Sequence, residues 1–163
     1  MGTIAGMDIG QARLEDVKAI NHLELEVHAV HVRGAPAVFR MPAVASRRRP
    51  FWARGLNGRN QAILVAEQEG RLAGFVQVGL RSAARLSILR RRRFGYVSSL
   101  GVARQWRRRG VGKLLMMAAH RWLLRRHVKQ IELNVWAFNR GALRFYHRLG
   151  YHFLNHRMGR TLG

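Results

Sequence analysis

The 163-residue chain carries 30 Lys and Arg, all but three of them arginine, against eight Asp and Glu, for a formal net charge of +22. Its 48% hydrophobic content is enough to build the core of one domain, taken as residues 1–163. It has no cysteine, which excludes disulfide scaffolds, Cys-ligated zinc and thiol nucleophiles.

The start, MGTIAGMDIGQAR, lacks the basic and apolar regions of a secretory leader, and Gly6 stands where a myristoylation signal wants Ser or Thr. No apolar run approaches the roughly 20 residues that span a bilayer. A soluble, cytoplasmic protein without a membrane partner is expected. After a short strand near Ile9, apolar residues at Val17, Ile20, Leu23, Val27 and Val30 recur at helical spacing behind the acidic pair Glu15 and Asp16, whose charge suits a helix N-terminus. Residues 34–58 hold all three prolines and Arg47, Arg48 and Arg49, and read as loop with a short helix over Phe51–Leu56.

Ala62–Glu67 and Leu72–Leu80 are β-rich runs flanking Gln68-Glu69-Gly70-Arg71, the pattern of an antiparallel hairpin. The basic stretch Arg81–Arg93 reads as a solvated connection to a strand over Phe94–Val102. Val111, Leu114, Leu115, Ala118, Ala119, Trp122 and Leu123 form one apolar helix face, followed by His127. Ile131–Val135 reads as a short strand. Asn139 is placed to cap a helix that ends at Gly150 as its C′ residue, and Tyr151–Arg157 reads as a last strand. The order predicts an α/β domain: a mixed sheet with helices on both faces.

In Ser99–Leu115 a strand runs through a basic, glycine-containing turn into a helix. Free N–H groups at a helix N-terminus and close approach at Gly110 and Gly112 suit an anion, and Arg107, Arg108, Arg109 and Lys113 add charge. A Walker A loop ending at Gly112-Lys113 needs glycine at 107 and Ser or Thr at 114, but Arg107 and Leu114 are there. A dinucleotide fingerprint from Gly110 needs a small residue at 115, where Leu115 stands.

The run Arg107-Arg108-Arg109-Gly110-Val111-Gly112 resembles the acyl-CoA loop of GNAT-type N-acetyltransferases: Arg or Gln, two residues, Gly, any residue, then Gly or Ala. A second run, Asn139 to Tyr151, has Asn139, Ala142, Tyr146, Gly150 and Tyr151 at the five positions of the same family's C-terminal motif. Upstream, QARLEDVKAINHLELE and AEQEGRLAGFVQV are similar to the family's first strand and helix and its second and third strands. Position 10 departs, with Gly10 where an Arg is common.

This resemblance implies a GNAT-like fold over the whole chain, with a seven-strand-type sheet splayed between strands four and five and acetyl-CoA as co-substrate in the cleft. It implies that the strand edge Leu100-Gly101-Val102 pairs with the pantetheine arm. Arg107, Arg108, Arg109, Gly110, Val111, Gly112 and Lys113 would bind the pyrophosphate. Asn139 and Ala142 would stand beside the cofactor, Asn139 bonding it or a bridging water. Tyr146 would sit near the thioester sulfur as general acid, transfer to a primary amine proceeding by direct attack.

A general base is not assigned by the sequence. Tyr96-Val97-Ser98-Ser99 offers no carboxylate, which leaves Glu24, Glu26 and His28 on the first helix or Glu132 on the fifth strand. The pairs His28/His31 and His152/His156 lack a third ligand in a zinc pattern, so no metal is expected.

The charge of +22 disfavours free polyamines. It leaves two readings of the arginine runs at 47–49, 90–93, 107–109 and 125–126: arginine spread over solvated faces, or a surface for RNA, a ribosome or another anionic assembly. The alternative to an active enzyme is therefore a nucleic-acid-binding module on the same scaffold. The acceptor amine is not specified, and neither is the choice between monomer and homodimer.

Overall fold

The computed structural model describes residues 6–42, 56, 58–83, 88 and 90–162. Strand β1 (Asp8–Gln11) leads into a 3-10 turn over Leu14–Asp16, which is closed by the Arg13 amide donating to Asp16 Oδ2 at 2.6 Å. Helix α1 (Val17–Gly34) follows. Strands β2 (Gln61–Gln68) and β3 (Arg71–Ser82) form a hairpin whose two turn residues, Glu69 and Gly70, have φ of 51° and 70°. Both are left-handed, as a two-residue hairpin turn twisted with its strands requires. Then come β4 (Arg93–Val102), a 3-10 turn over Arg104–Trp106, helix α2 (Val111–Leu124), β5 (Ile131–Leu133) and helix α3 (Arg140–Arg148).

The sheet order is β1-β2-β3-β4-β5. The first three pairings are antiparallel and β4–β5 is parallel, which requires the crossover that α2 provides. Side chains alternate across β3. Val76 and Val78 join Leu115, Met116, Ala119 and Trp122 of α2 on one face, while Phe75 joins Ile20 and Leu23 of α1 on the other. Phe75, Ile20 and Leu115 are fully buried, and burial of each stabilises the fold by about 1.5–3 kcal/mol. Among the described residues no helix is long and apolar enough to cross a membrane.

One irregularity shapes everything downstream. On β3 the neighbours Gln77 and Val78 pair with Ser99 and Val97, so Ser98 is an extra residue on β4, a β-bulge. Pairing of β4 with β5 is confined to Gly95, Tyr96 and Val97 and stops where the bulge begins. A bulge bends and further twists its strand. Past it, among the described residues, 98–102 of β4 have a strand partner only on the β3 side, and a cleft opens between β4 and β5.

Three expectations are corrected. The sheet has five strands among the described residues rather than seven. Tyr151–Arg157 is not a strand: the chain turns at Gly150, and residues 152–157 lie exposed without a ladder partner. Strand β5 also ends at Leu133, two residues short of the sequence reading, because β4 has bent away from it. Of the short helix expected over Phe51–Leu56 only Leu56, which is buried, falls among the described residues. The triplet Arg47–Arg49 lies outside them.

Candidate active site

The turn after β4 presents main-chain donors to solvent. Arg108 (φ 64°) and Gly110 (φ 88°) are both left-handed, and 107–110 are all exposed. Gly110 stands at the N-cap of α2, where no side chain supplies a cap. The first helical bond runs from the Leu114 amide to the Gly110 carbonyl at 3.1 Å, so the amides of 111, 112 and 113 precede the helical ladder. A helix N-terminus of this kind, with the positive end of the dipole behind it and the exposed Lys113 in its first turn, is chemically suited to an anion such as a diphosphate.

Arg107 has a different task. Its Nε donates to the Val102 carbonyl at 2.8 Å and its guanidinium to Glu26 Oε2 at 2.9 Å, tying the turn to α1. Arg109 lies over the Trp106 ring at 5.5 Å. Elsewhere Arg81 covers Tyr96, Arg92 covers Phe94 and also pairs with Glu132, and Arg126 covers Trp122. Four of the arginines are thus packed onto aromatic faces of this fold.

The cleft between β4 and β5 has a volume of about 240 Å³. One wall is α1, whose Glu24, Val27, His28 and His31 recur at helical spacing and share a face. The floor is Ser98, Ser99 and Leu100 of β4, and the far wall comes from Trp136, Asn139, Ala142 and Tyr146. A larger hollow of about 380 Å³ lies over Asn60, Gly79, Arg81 and Tyr96. Among the described residues it is lined by no carboxylate or histidine, whereas the smaller one is lined by Glu24, His28 and His31.

Helix α3 is fixed at both ends. Asn139 Oδ1 accepts the Ala142 amide at 3.1 Å, a side-chain N-cap. At the C-terminus the amides of Tyr151 and Gly150 donate to the carbonyls of Tyr146 and His147, with Gly150 left-handed at φ 86°, a Schellman motif. This cap brings the Tyr151 ring against Tyr146, centroids 5.6 Å apart, and His120 Nε2 holds the Tyr151 hydroxyl at 2.8 Å. Burial pushes the Tyr146 phenol up to about 12, so it stays protonated across the neutral range. Burial, with Tyr146 nearby, raises Tyr151 further, and burial lowers His120.

Of the four candidate bases the fold brings two into the cleft. Glu24 accepts the Ser99 hydroxyl at 2.5 Å, and His28 stands one turn along α1, its Nε2 donating to the Arg40 carbonyl at 2.8 Å. Glu26 is turned to Arg107 and Glu132 to Arg92, outside the cleft. Among the described residues no group of three His, Asp or Glu stands close enough to hold a metal ion. The sequence reading missed the cleft role of Phe39 and Trp136; their aromatic type in irregular segments gave no periodic signal. His31 was recoverable from its spacing to Glu24 and His28.

Residues 22–151 match the family described as acetyltransferase (GNAT) family. The BH1408 protein of Bacillus halodurans, in a tetramutant form, superposes with a TM-score of 0.85 at 27% identity, over 95% of this chain and 99% of that one. The aminoglycoside N-acetyltransferase AAC(6')-Iy, solved in complex with CoA, gives 0.74 at 17% identity over 96% and 94% of the two chains. An acetyltransferase from Vibrio fischeri gives 0.62 at 23% identity over 79% and 96%. The last two likenesses show the fold alone. No curated protein sequence matches the chain.

Proposed function

The chain belongs to the GNAT family of acetyl-CoA-dependent N-acetyltransferases, and from that premise we propose that it acetylates a primary amine by direct attack in the cleft between β4 and β5, with Glu24 as base and Tyr146 as proton donor. The observation that carries this reading is the arrangement of three features along one strand. The edge of β4 that has no strand partner among the described residues runs from the Ser99-bound carboxylate of Glu24, past Leu100, Gly101 and Val102, to the exposed turn 107–110 at the N-terminus of α2.

The co-substrate supplies an acetyl group already activated as a thioester. In our reading the turn amides and Lys113 hold its diphosphate, and the β4 edge aligns its amide-bearing arm by main-chain pairing, which leaves side chains there free to vary. Gly101 lets the strand pass close to α1: a Cβ there would meet Phe75 at 2.7 Å and Val27 at 3.3 Å. Asn139 and Ala142 line the cleft between the arm and Tyr146.

Glu24 takes the proton that an ammonium must lose before its nitrogen has a lone pair. The C–N bond then forms, the C–S bond breaks, and the sulfur leaves as a thiolate that needs a proton. A phenol held near 12 is too weak an acid to hand a proton downhill to a thiol of ordinary pKa about 8.5. It acts instead as a hydrogen-bond donor, and transfer completes as the desolvated sulfur gains charge, the second proton of the attacking nitrogen restoring the phenol. One proton reaches solvent per turnover.

The experiment is amine-dependent release of CoA thiol from acetyl-CoA. Activity in the native protein that falls in both Glu24→Gln and Tyr146→Phe supports this reading; no thiol release with any amine rejects it.

A further inference from the structure

We propose that the acceptor is a monoamine carried on a flat apolar body that lies against a cluster of rings lining the cleft; the proposal rests on reading the cleft as an N-acetyltransferase site. Phe39 is the hub of the cluster. Its ring lies edge-on to Trp136 at 5.1 Å and to His28 at 6.0 Å, and 5.3 Å from His31. Phe138 backs the group, 6.1 Å from both His31 and Trp136. The histidine rings are held by backbone: His28 Nε2 donates to the Arg40 carbonyl, and His31 Nδ1 to the Val27 carbonyl at 3.0 Å. Trp136 lines the cleft and keeps 42% of its surface exposed although Phe138 stacks on its ring and Phe39 meets it edge-on.

Along α1 the axial rise from Glu24 to His28 is about 6 Å, and to His31 about 10 Å. An amine at the carboxylate therefore has its body against the rings if two or three bonds separate them. The rings offer aromatic faces and edges to that body.

Charge closes the argument. All eight carboxylates of the chain are Asp8, Glu15, Asp16, Glu24, Glu26, Glu67, Glu69 and Glu132, and each is at a described position. Only Glu24 lines the cleft. Residues 43–55 and 84–87 contain arginine and no Asp or Glu, so they bring no further carboxylate. A polyamine or an aminosugar with several ammonium groups would leave all but one of them without a counter-charge, inside a protein of net charge +22. A single amine on an uncharged planar body meets no such penalty.

The test measures thiol release at saturating acetyl-CoA with 2-phenylethylamine, n-butylamine, spermidine and kanamycin. The expected kcat/KM for 2-phenylethylamine exceeds that for n-butylamine by about tenfold or more and that for the two polycations by about a hundredfold. Trp136→Ala should lower kcat/KM for 2-phenylethylamine about tenfold through KM, and Trp136→Phe should restore most of it. The rise in Tm on adding acetyl-CoA should be retained in Trp136→Ala. Equal or better use of spermidine or kanamycin overturns the proposal, as does an unchanged KM in Trp136→Ala. If acetyl-CoA raises the Tm but 2-phenylethylamine is not acetylated, the substrate class is wrong and the enzyme reading stands. If acetyl-CoA neither raises the Tm nor releases thiol, both fall.

Discussion

The Ser99 hydroxyl on β4 donates to Glu24 Oε2 on α1 at 2.5 Å. The strand beside the cleft has no acidic residue of its own, and the helix packed across it supplies one, fixed against the strand by a serine. The contact lies one residue past the Ser98 bulge, where β4 has parted from β5. One irregularity in register thus accompanies both the opening of the cleft and the seat of the base we propose.

Glu24→Gln keeps the shape and the hydrogen bond from Ser99 but cannot accept a proton. We expect kcat to fall by about 10²–10⁴ with little change in acetyl-CoA affinity. Ser99→Ala leaves the carboxylate present but unheld, so its loss should be smaller. Steady-state kinetics of the two variants check this; a Glu24→Gln enzyme with native kcat would remove Glu24 from the reaction.

Tyr146→Phe removes the one phenol that lines the cleft while keeping the ring contacts with Phe145 and Tyr151. The expected result is a kcat lower by about 10² and an unchanged acetyl-CoA-induced Tm shift. Because burial holds this phenol at about 12, no loss of rate from its ionisation is expected up to about pH 10. A descending limb near neutral pH that vanishes in the phenylalanine variant would contradict this assignment.

Burial lowers the His120 pKa from its usual 6.5, so the unfolded chain takes up a proton that the folded protein resists. The stability tied to neutral His120 is present above pH about 6.5 and lost as pH falls below it. The Tm should drop as pH falls below about 6.5, and His120→Gln should flatten that slope. A slope identical in the two proteins would show that His120 carries none of it.

How much of this was legible in the sequence follows from where each feature is decided. The β2–β3 hairpin was readable because Glu69-Gly70 meets a local backbone demand between two alternating runs. The 107–113 turn and the α3 caps were readable for the same reason: Gly110 and Gly150 are left-handed, and Asn139 bonds three residues ahead. The last strand was misread because strand formation needs a partner, which composition over Tyr151–Arg157 does not reveal. Glu24 could not be chosen from the sequence as base, although helical period already separates it from Glu26. Glu24, His28 and His31 share a face, and Glu26 lies away from it, against Arg107. Which face meets the cleft is settled only by packing against the bulged strand.

Acetyl transfer in this cleft requires that the 107–113 turn grip the diphosphate of acetyl-CoA. The direct measurement is the Tm of the native protein and of Gly110→Glu, each with and without acetyl-CoA, the ligand-free Tm serving as the control for folding. At 100 times its Kd the ligand should stabilise the native protein by about 2.7 kcal/mol, about 5–10 °C for a chain of this size. Gly110→Glu, with a strained left-handed side chain and a negative charge at the anion site, should show no shift. A native protein whose Tm does not move at saturating acetyl-CoA, or an equal shift in the variant, would contradict the account.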